Sequence, residues 1–157
     1  MIEGIEWLGH DSFRISGTKT VYVDPWKLAP GAPPADVILV THDHYDHFSP
    51  QDIAAISGPE TVVVGPPAVA ARYGDRGVSV QAGSRVEAAG IPVTAVHAYN
   101  VNKFKEPGKV FHDKGQGVGY VFELDGRRIY HAGDTDAIPE MAGIEVNVAL
   151  LPVSGTY

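Results

Sequence analysis

The sequence contains no cysteine. This absence excludes a disulfide framework, a thiolate nucleophile and any metal site that needs a cysteine ligand. Basic residues are also scarce, with 12 Lys and Arg against 19 Asp and Glu and a formal net charge of −7. Because a general nucleic-acid-binding protein needs a basic surface, this balance disfavours nucleic acid as a partner.

Long hydrophobic runs are missing as well. The longest apolar stretches, residues 37–40 and 148–151, are far too short to span a bilayer. The first ten residues contain acids and no apolar core, which is not the pattern of a secretory signal. We therefore expect no membrane partner and a cytoplasmic location. The chain has 157 residues, of which 44% are hydrophobic and 20% charged, as is usual for one folded domain.

Short apolar segments separated by glycine and proline predict many strands and few helices. Ser49 followed by Pro50 is typical of a helix start, with the helix ending near Gly58. A second short helix is predicted over residues 66–73, and Asp125-Gly126 predicts a hairpin turn. Residues 146–151 are predicted to form a buried strand. The order of elements indicates an α+β fold in a single domain over residues 1–157.

Potential metal ligands are concentrated in residues 42–47, HDHYDH, which hold three of the seven histidines and two aspartates. This segment follows the apolar residues 37–40, separated from them by Thr41 alone. Packing gives no reason for such a composition there. On an irregular turn His42 and His44 can point to one ion, while Asp46 and His47 reach a second point nearby. Imidazole and carboxylate together suit zinc, manganese or iron.

Residues 41–47, THDHYDH, resemble the His-x-His-x-Asp-His signature of the metallo-β-lactamase superfamily. Three further segments resemble its branch of small metal-dependent hydrolases that includes the ascorbate-6-phosphate lactonase: residues 7–13, WLGHDSF; Asp24-Pro25; and residues 130–136, YHAGDTD. The resemblance implies an αββα sandwich with two adjacent divalent ions, zinc being favoured over manganese and iron. It also implies the ligands, with one ion bound by His42, His44 and His97, the other by Asp46 and His47, and Asp134 bridging them.

The activity implied by this resemblance is hydrolysis of an ester, lactone or phosphodiester by a metal-activated water, with Asp46 as the catalytic residue that orients the water. A nuclease or thioester hydrolase of the same superfamily is an alternative. So is a non-catalytic metal-binding fragment that needs a partner chain.

Residues 100–116 form a polar segment with four lysines and two acids, a net charge of +2. Because the segment joins the strand of His97 to the hairpin before Asp134, we expect a mobile basic loop beside the metals. A basic loop there favours a small anionic substrate. His112 and Lys114 in this loop are candidate substrate contacts. His10, in the turn between the first two strands, is a third.

The family pattern includes one more histidine ligand near the C-terminus. No residue of this sequence matches it, because the last histidine, His131, precedes Asp134. The expectation is therefore a sandwich that is incomplete at the C-terminus, with residues 1–157 as the N-terminal part of the full fold. A homo-oligomer or a C-terminal completing chain is the expected protein partner.

Overall fold

Two β-sheets pack face to face in the computed structural model, which describes residues 2–153. The first sheet has six strands in sequence order. Its first three strands are antiparallel, and the strands from the third to the sixth are parallel. The strands are β1 (Ile5–Gly9), β2 (Ser12–Ser16), β3 (Thr20–Val23), β4 (Ala35–Leu39), β5 (Ser57–Gly65) and β6 (Gly77–Ser79).

The later strands form the second sheet and a small ribbon. They are β7 (Arg85–Ala88), β8 (Ile91–Ala98), β9 (Phe104–Glu106), β10 (Lys109–Val110), β11 (Gly117–Leu124), β12 (Arg127–His131) and β13 (Val148–Leu150). The sheet order is β13-β12-β11-β8-β7, while β9 and β10 pair only with each other. The hydrophobic core lies between the two sheets, where β-branched residues of β3 and β4 meet Tyr120 and Phe122 of β11.

Helices cover the outer face of the first sheet. They are α1 (Pro50–Ile56) and α2 (Pro67–Ala70), and Ile53 and Ile56 of α1 pack against that face. The α1 start is as predicted, because the Ser49 hydroxyl accepts the Asp52 backbone N–H. On the outer face of the second sheet, within residues 2–153, the helical structure is a 3₁₀ turn over Pro139–Gly143. This mixed arrangement of sheets and helices confirms the predicted α+β class.

The hairpin of β11 and β12 is confirmed. Asp125 and Gly126 have φ angles of 52° and 72°, and Leu124 pairs with Arg127. Positive φ at both central residues is the turn geometry that matches the twist of paired strands, which is why Asp-Gly is favoured there. The hairpin places Asp134, just beyond β12, at the same end of the sandwich as the histidine segment that follows β4.

Two segments differ from their predictions. Residues 100–116 are not an open loop, because β9 and β10 pair within them and the Asn100 N–H donates to the His112 carbonyl at 2.9 Å. The predicted buried strand over residues 146–151 is shorter, β13, and within residues 2–153 it is an edge strand that pairs only with β12. Ala149 in its centre is exposed, because its side chain points away from the core that Val148 and Leu150 contact. No helix among the described residues is long and apolar enough to cross a membrane.

Candidate metal centre

Seven potential metal ligands from four separate segments converge at one end of the sandwich. His10 comes from the β1–β2 turn, four residues come from the turn after β4, and His112 and Asp134 come from the segments before β11 and after β12. Five of them line a cleft of about 1360 Å³, and the other two, His42 and His47, are buried next to these five. They form three overlapping groups whose donor atoms lie within 4.8 Å of one another: His42, His44 and His112; His10, Asp46 and His47; and His42, His47 and Asp134.

The first group consists of three imidazoles. The Nδ1 atom of His44 lies 3.0 Å from Nε2 of His42 and 3.1 Å from Nε2 of His112. Tetrahedral zinc with nitrogen ligands at about 2.0–2.1 Å separates those nitrogens by about 3.3 Å. The spacing in this group is therefore close to the spacing that a single ion requires.

The second group combines two imidazoles and a carboxylate. The Nε2 atom of His10 lies 3.3 Å from Nε2 of His47 and 3.2 Å from Oδ2 of Asp46. Asp134 lies between the two groups, because its Oδ2 is 3.5 Å from Nε2 of His47 and 3.5 Å from Nε2 of His112. One carboxylate oxygen is thus equally near to a histidine of each group, as a bridging ligand must be.

Asp24, at the end of β3, orients two of these histidines although it is fully buried behind them. Its carboxylate accepts the Thr41 N–H at 2.7 Å, the Thr41 hydroxyl at 2.6 Å and the His47 Nδ1–H at 2.8 Å. Because the Thr41 hydroxyl donates to Asp24, its oxygen accepts from Nδ1 of His42 at 2.9 Å. Both imidazoles therefore carry a proton on Nδ1, which leaves Nε2 of His42 facing His44 and Nε2 of His47 facing His10.

Asn100 has the same effect on His112. Its side-chain oxygen lies 2.8 Å from Nδ1 of His112 and accepts the His112 backbone N–H at 3.1 Å. His112, predicted as a substrate contact, therefore lies where the prediction places His97. The structure leaves His97 outside all three groups: it lies on β8 opposite Val118, and its buried Nδ1 has no hydrogen-bond partner among residues 2–153. This corrects the prediction that His97 binds the first ion. The physical reason is that the ribbon of β9 and β10 returns the chain to the cleft after β8 has ended, which brings His112 there.

The metal-free cluster contains groups with opposite pKa shifts. Burial lowers the pKa of His42 to about 3, and the neighbouring His47 charge adds to this. Burial also disfavours charge on His47, but its hydrogen bonds with Asp134 and Asp24 outweigh burial and raise its pKa to about 11. Burial and a hydrogen bond to Asp134 raise the pKa of Asp11 to about 7. Asp134 itself has a pKa well below its usual range, because the bonds with His47 and Asp11 exceed the effect of burial.

The remaining predicted substrate contact, Lys114, does not line the cleft. Its ammonium donates to Glu140 at 2.6 Å and lies over the ring of Tyr99. Lys103 of the same segment lines the cleft instead. Lys103 was not among the predicted substrate contacts.

Sequence reasoning missed two further features of the cleft. Asp11, whose carboxyl group contacts Asp134, was not among the candidate residues, although it stands beside His10 in the WLGHDSF segment. Trp7, Trp26 and Tyr45 line one part of the cleft. They come from three separate segments of the chain, so no local sequence pattern indicates their proximity.

The donor set of the cluster fits divalent metal ions of the zinc class. The donors are imidazole nitrogens and carboxylate oxygens, and three of the imidazoles are oriented through their Nδ1 atoms by Asp24, Thr41 and Asn100. Such outer hydrogen bonds are typical of histidines that bind metal. A two-layer sandwich with this cluster at one end defines a protein of the metallo-β-lactamase type.

Comparison with known proteins agrees with that class. The family model described as a beta-lactamase superfamily domain matches residues 4–157. The chain therefore belongs to this superfamily. It is 34% identical to a UPF0173 metal-dependent hydrolase of Methanoregula boonei over 98% of this chain and 70% of that protein.

Solved structures give the same result for the fold. A protein of Parabacteroides distasonis, provisionally assigned as a metal-dependent hydrolase, superposes with a TM-score of 0.86 at 30% identity, covering 98% of this chain and 70% of its own. A provisionally assigned Zn-dependent hydrolase of the metallo-β-lactamase superfamily from Thermotoga maritima shares the fold at 24% identity, with a TM-score of 0.50 and coverage of 83% of this chain and 48% of its own. The predicted metallo-β-lactamase-like fold is confirmed.

Proposed function

We propose that this protein is a metal-dependent hydrolase that acts on an ester, lactone or phosphodiester of a small anionic substrate. The observation that carries the proposal is the convergence of imidazole and carboxylate donors into two adjacent groups with Asp134 between them. The names of the relatives at 30–34% identity support the coarser statement, a metal-dependent hydrolase, and name no substrate.

Two divalent ions are the proposed cofactor. His42, His44 and His112 would bind one, Asp46 and His47 the other, and Asp134 would contact both. Bound at these residues, the ions would lower the pKa of a water molecule towards neutrality and would polarise the oxygen of the scissile group. Zinc is the favoured metal because the ligands are mainly imidazole.

The protein's own groups position the reactants. Asp46 has the role of orienting the attacking water, since its Oδ2 faces the cleft beside His10 and His47. Asp11 lines the cleft next to His10, and its carboxyl group contacts that of Asp134. Asp24, which is fully buried, and Asn100 fix the proton positions on the histidines.

The substrate class follows from the cleft walls. Lys103 lines the cleft and offers an ammonium group to an anionic substituent. Trp7 and Tyr45 line it as well, although 65% and 78% of their surfaces are exposed. Exposed aromatic groups beside a polar cluster favour a substrate that carries an apolar group in addition to its charge.

The experiment is an activity screen of chelator-stripped protein with zinc, manganese or iron added back. The substrates are matched aryl esters, lactones, thioesters and bis-aryl phosphodiesters, each in a neutral and an anionic form. We expect metal-dependent turnover that His44→Ala abolishes and that the control His97→Gln, outside the three groups, retains. Turnover that survives chelation, or that His44→Ala leaves intact, would contradict the proposal. A preference for thioesters would select the thioesterase alternative, whereas turnover of the small phosphodiesters lies within the proposal.

A further inference from the structure

We propose that His10 is a metal ligand, which binds the second ion together with Asp46, His47 and Asp134. The inference rests on the proposed function, because it concerns the same site. It replaces the substrate contact expected of His10 from the sequence with direct coordination.

The distances around His10 are those of ligands to one ion. Its Nε2 lies 3.3 Å from Nε2 of His47 and 3.2 Å from Oδ2 of Asp46. Donors at about 2.0–2.1 Å from a tetrahedral zinc ion lie about 3.3 Å apart. The corresponding separations among His42, His44 and His112 are 3.0 and 3.1 Å, so both groups have the spacing of a coordination shell.

The orientation of His47 strengthens this reading. The Nδ1–H of His47 is directed to Asp24 at 2.8 Å, which leaves Nε2 as the atom that faces His10. Two Nε2 atoms and a carboxylate oxygen thus converge from three separate backbone positions. A cation between them satisfies all three donors at once.

The backbone of His10 is held in an unusual conformation. Its φ angle is +49°, a region that residues with a Cβ rarely adopt and that glycine adopts easily. The Trp7 indole N–H donates to the His10 carbonyl at 2.7 Å, and the Trp26 ring packs edge-on against the imidazole at 5.4 Å. His10 lies at the surface, with 35% of its side chain exposed, and its imidazole lines the cleft beside Asp46 and His47.

With His10 the second position has four protein donors among the described residues, namely two imidazoles and the carboxylates of Asp46 and Asp134. The first position has three imidazoles and the shared carboxylate. The two ions would then have similar ligand sets. Because His10 supplies one of the four donors at the second position, the affinity for the second ion should depend on it.

The test uses the absence of cysteine from the sequence. In His10→Cys the only thiol of the protein stands at position 10. Protein stripped of metal and loaded with Co²⁺ is examined by absorption spectroscopy, while metal content and stepwise affinities are measured by elemental analysis and chelator competition. Wild type, His10→Ala and the control His97→Gln are measured in parallel.

We expect two equivalents of Co²⁺ in wild type and in His97→Gln, and a second equivalent at least ~10-fold weaker in His10→Ala. His10→Cys should show a thiolate-to-cobalt charge-transfer band in the near ultraviolet. Two equivalents with unchanged affinity in His10→Ala, or no such band in His10→Cys, would overturn the inference. If His10→Ala changes only KM, His10 is a substrate contact. Failure of wild type to bind any metal would instead refute the proposed function.

Discussion

Replacing Asp24 by asparagine should invert the proton positions on two metal-binding histidines without changing the shape of the core. Asp24 accepts hydrogen bonds from the Thr41 hydroxyl and from Nδ1 of His47 through the same oxygen, Oδ2. In Asp24→Asn an amide NH₂ takes that position while the other oxygen still accepts the Thr41 N–H. The Thr41 hydroxyl and Nδ1 of His47, which donate to Asp24, must then accept hydrogen bonds from the amide.

The inversion follows two hydrogen-bond chains into the cleft. His47 can accept from the amide only if its proton moves from Nδ1 to Nε2. Thr41, which now accepts from the amide, turns its hydroxyl proton towards Nδ1 of His42, 2.9 Å away, so that His42 is also protonated on Nε2. Each Nε2 then presents a proton where a metal needs a lone pair.

The magnitude follows from what such outer hydrogen bonds contribute. Loss of one of them typically weakens metal binding by about 10- to 100-fold, which is about 1.4–2.7 kcal/mol. Because Asp24 acts on two histidines, we expect the upper end of this range or more. The assay is competition for Zn²⁺ with a chromophoric chelator, accompanied by thermal unfolding of the metal-free protein.

The matched control is Asp36→Asn. Asp36 also accepts a backbone N–H, that of Thr20 at 2.8 Å, but it does not line the cleft. The Asp36→Asn variant should therefore retain wild-type zinc affinity. Equal affinities in Asp24→Asn and wild type would refute the role of Asp24 in setting the histidine protons.

Three further results are expected. His112→Ala should lower metal content and remove turnover, while His97→Ala should retain both; metal analysis of the two variants separates them. Metal affinity should rise by about tenfold per pH unit between pH 6 and 9, because His47, whose pKa of about 11 keeps it protonated, must release one proton. Calorimetry in buffers of different ionisation enthalpy counts the proton that His47 releases when metal binds. In the metal-free protein, protonated His47 stabilises the fold fully below its pKa in the unfolded chain, and this stabilisation is lost as pH rises through its folded-state pKa of about 11. Lys103→Glu should raise KM for anionic substrates more than for neutral ones, and equal effects on both would contradict its role.

Local patterns were sufficient to predict several features from the sequence. Ser49-Pro50 begins α1, and Asp125-Gly126 forms the hairpin turn, because each depends on the conformation of two neighbouring residues. The histidine segment after β4 could also be predicted from the sequence, since its donors lie within six residues and converge within one turn.

Features that depend on tertiary contacts could not be predicted in this way. Whether His97 or His112 lies beside His42 and His44 depends on the path of the chain after β8. It also depends on the hydrogen bond between the side chains of Asn100 and His112, which are 12 positions apart. Similarly, the apolar residues of β13 give no sign that the strand lies at a sheet edge. The expectation of a C-terminal completing chain or homo-oligomer stays a prediction.

Anomalous diffraction from zinc-loaded crystals tests the central claim most directly. The account predicts two peaks about 3.5–4 Å apart, the usual spacing of two-metal sites. One should lie among His42, His44 and His112 and the other beside Asp46 and His47, with the Asp134 carboxylate between them. A single peak, or zinc bound elsewhere while these side chains remain free of metal, would contradict the account.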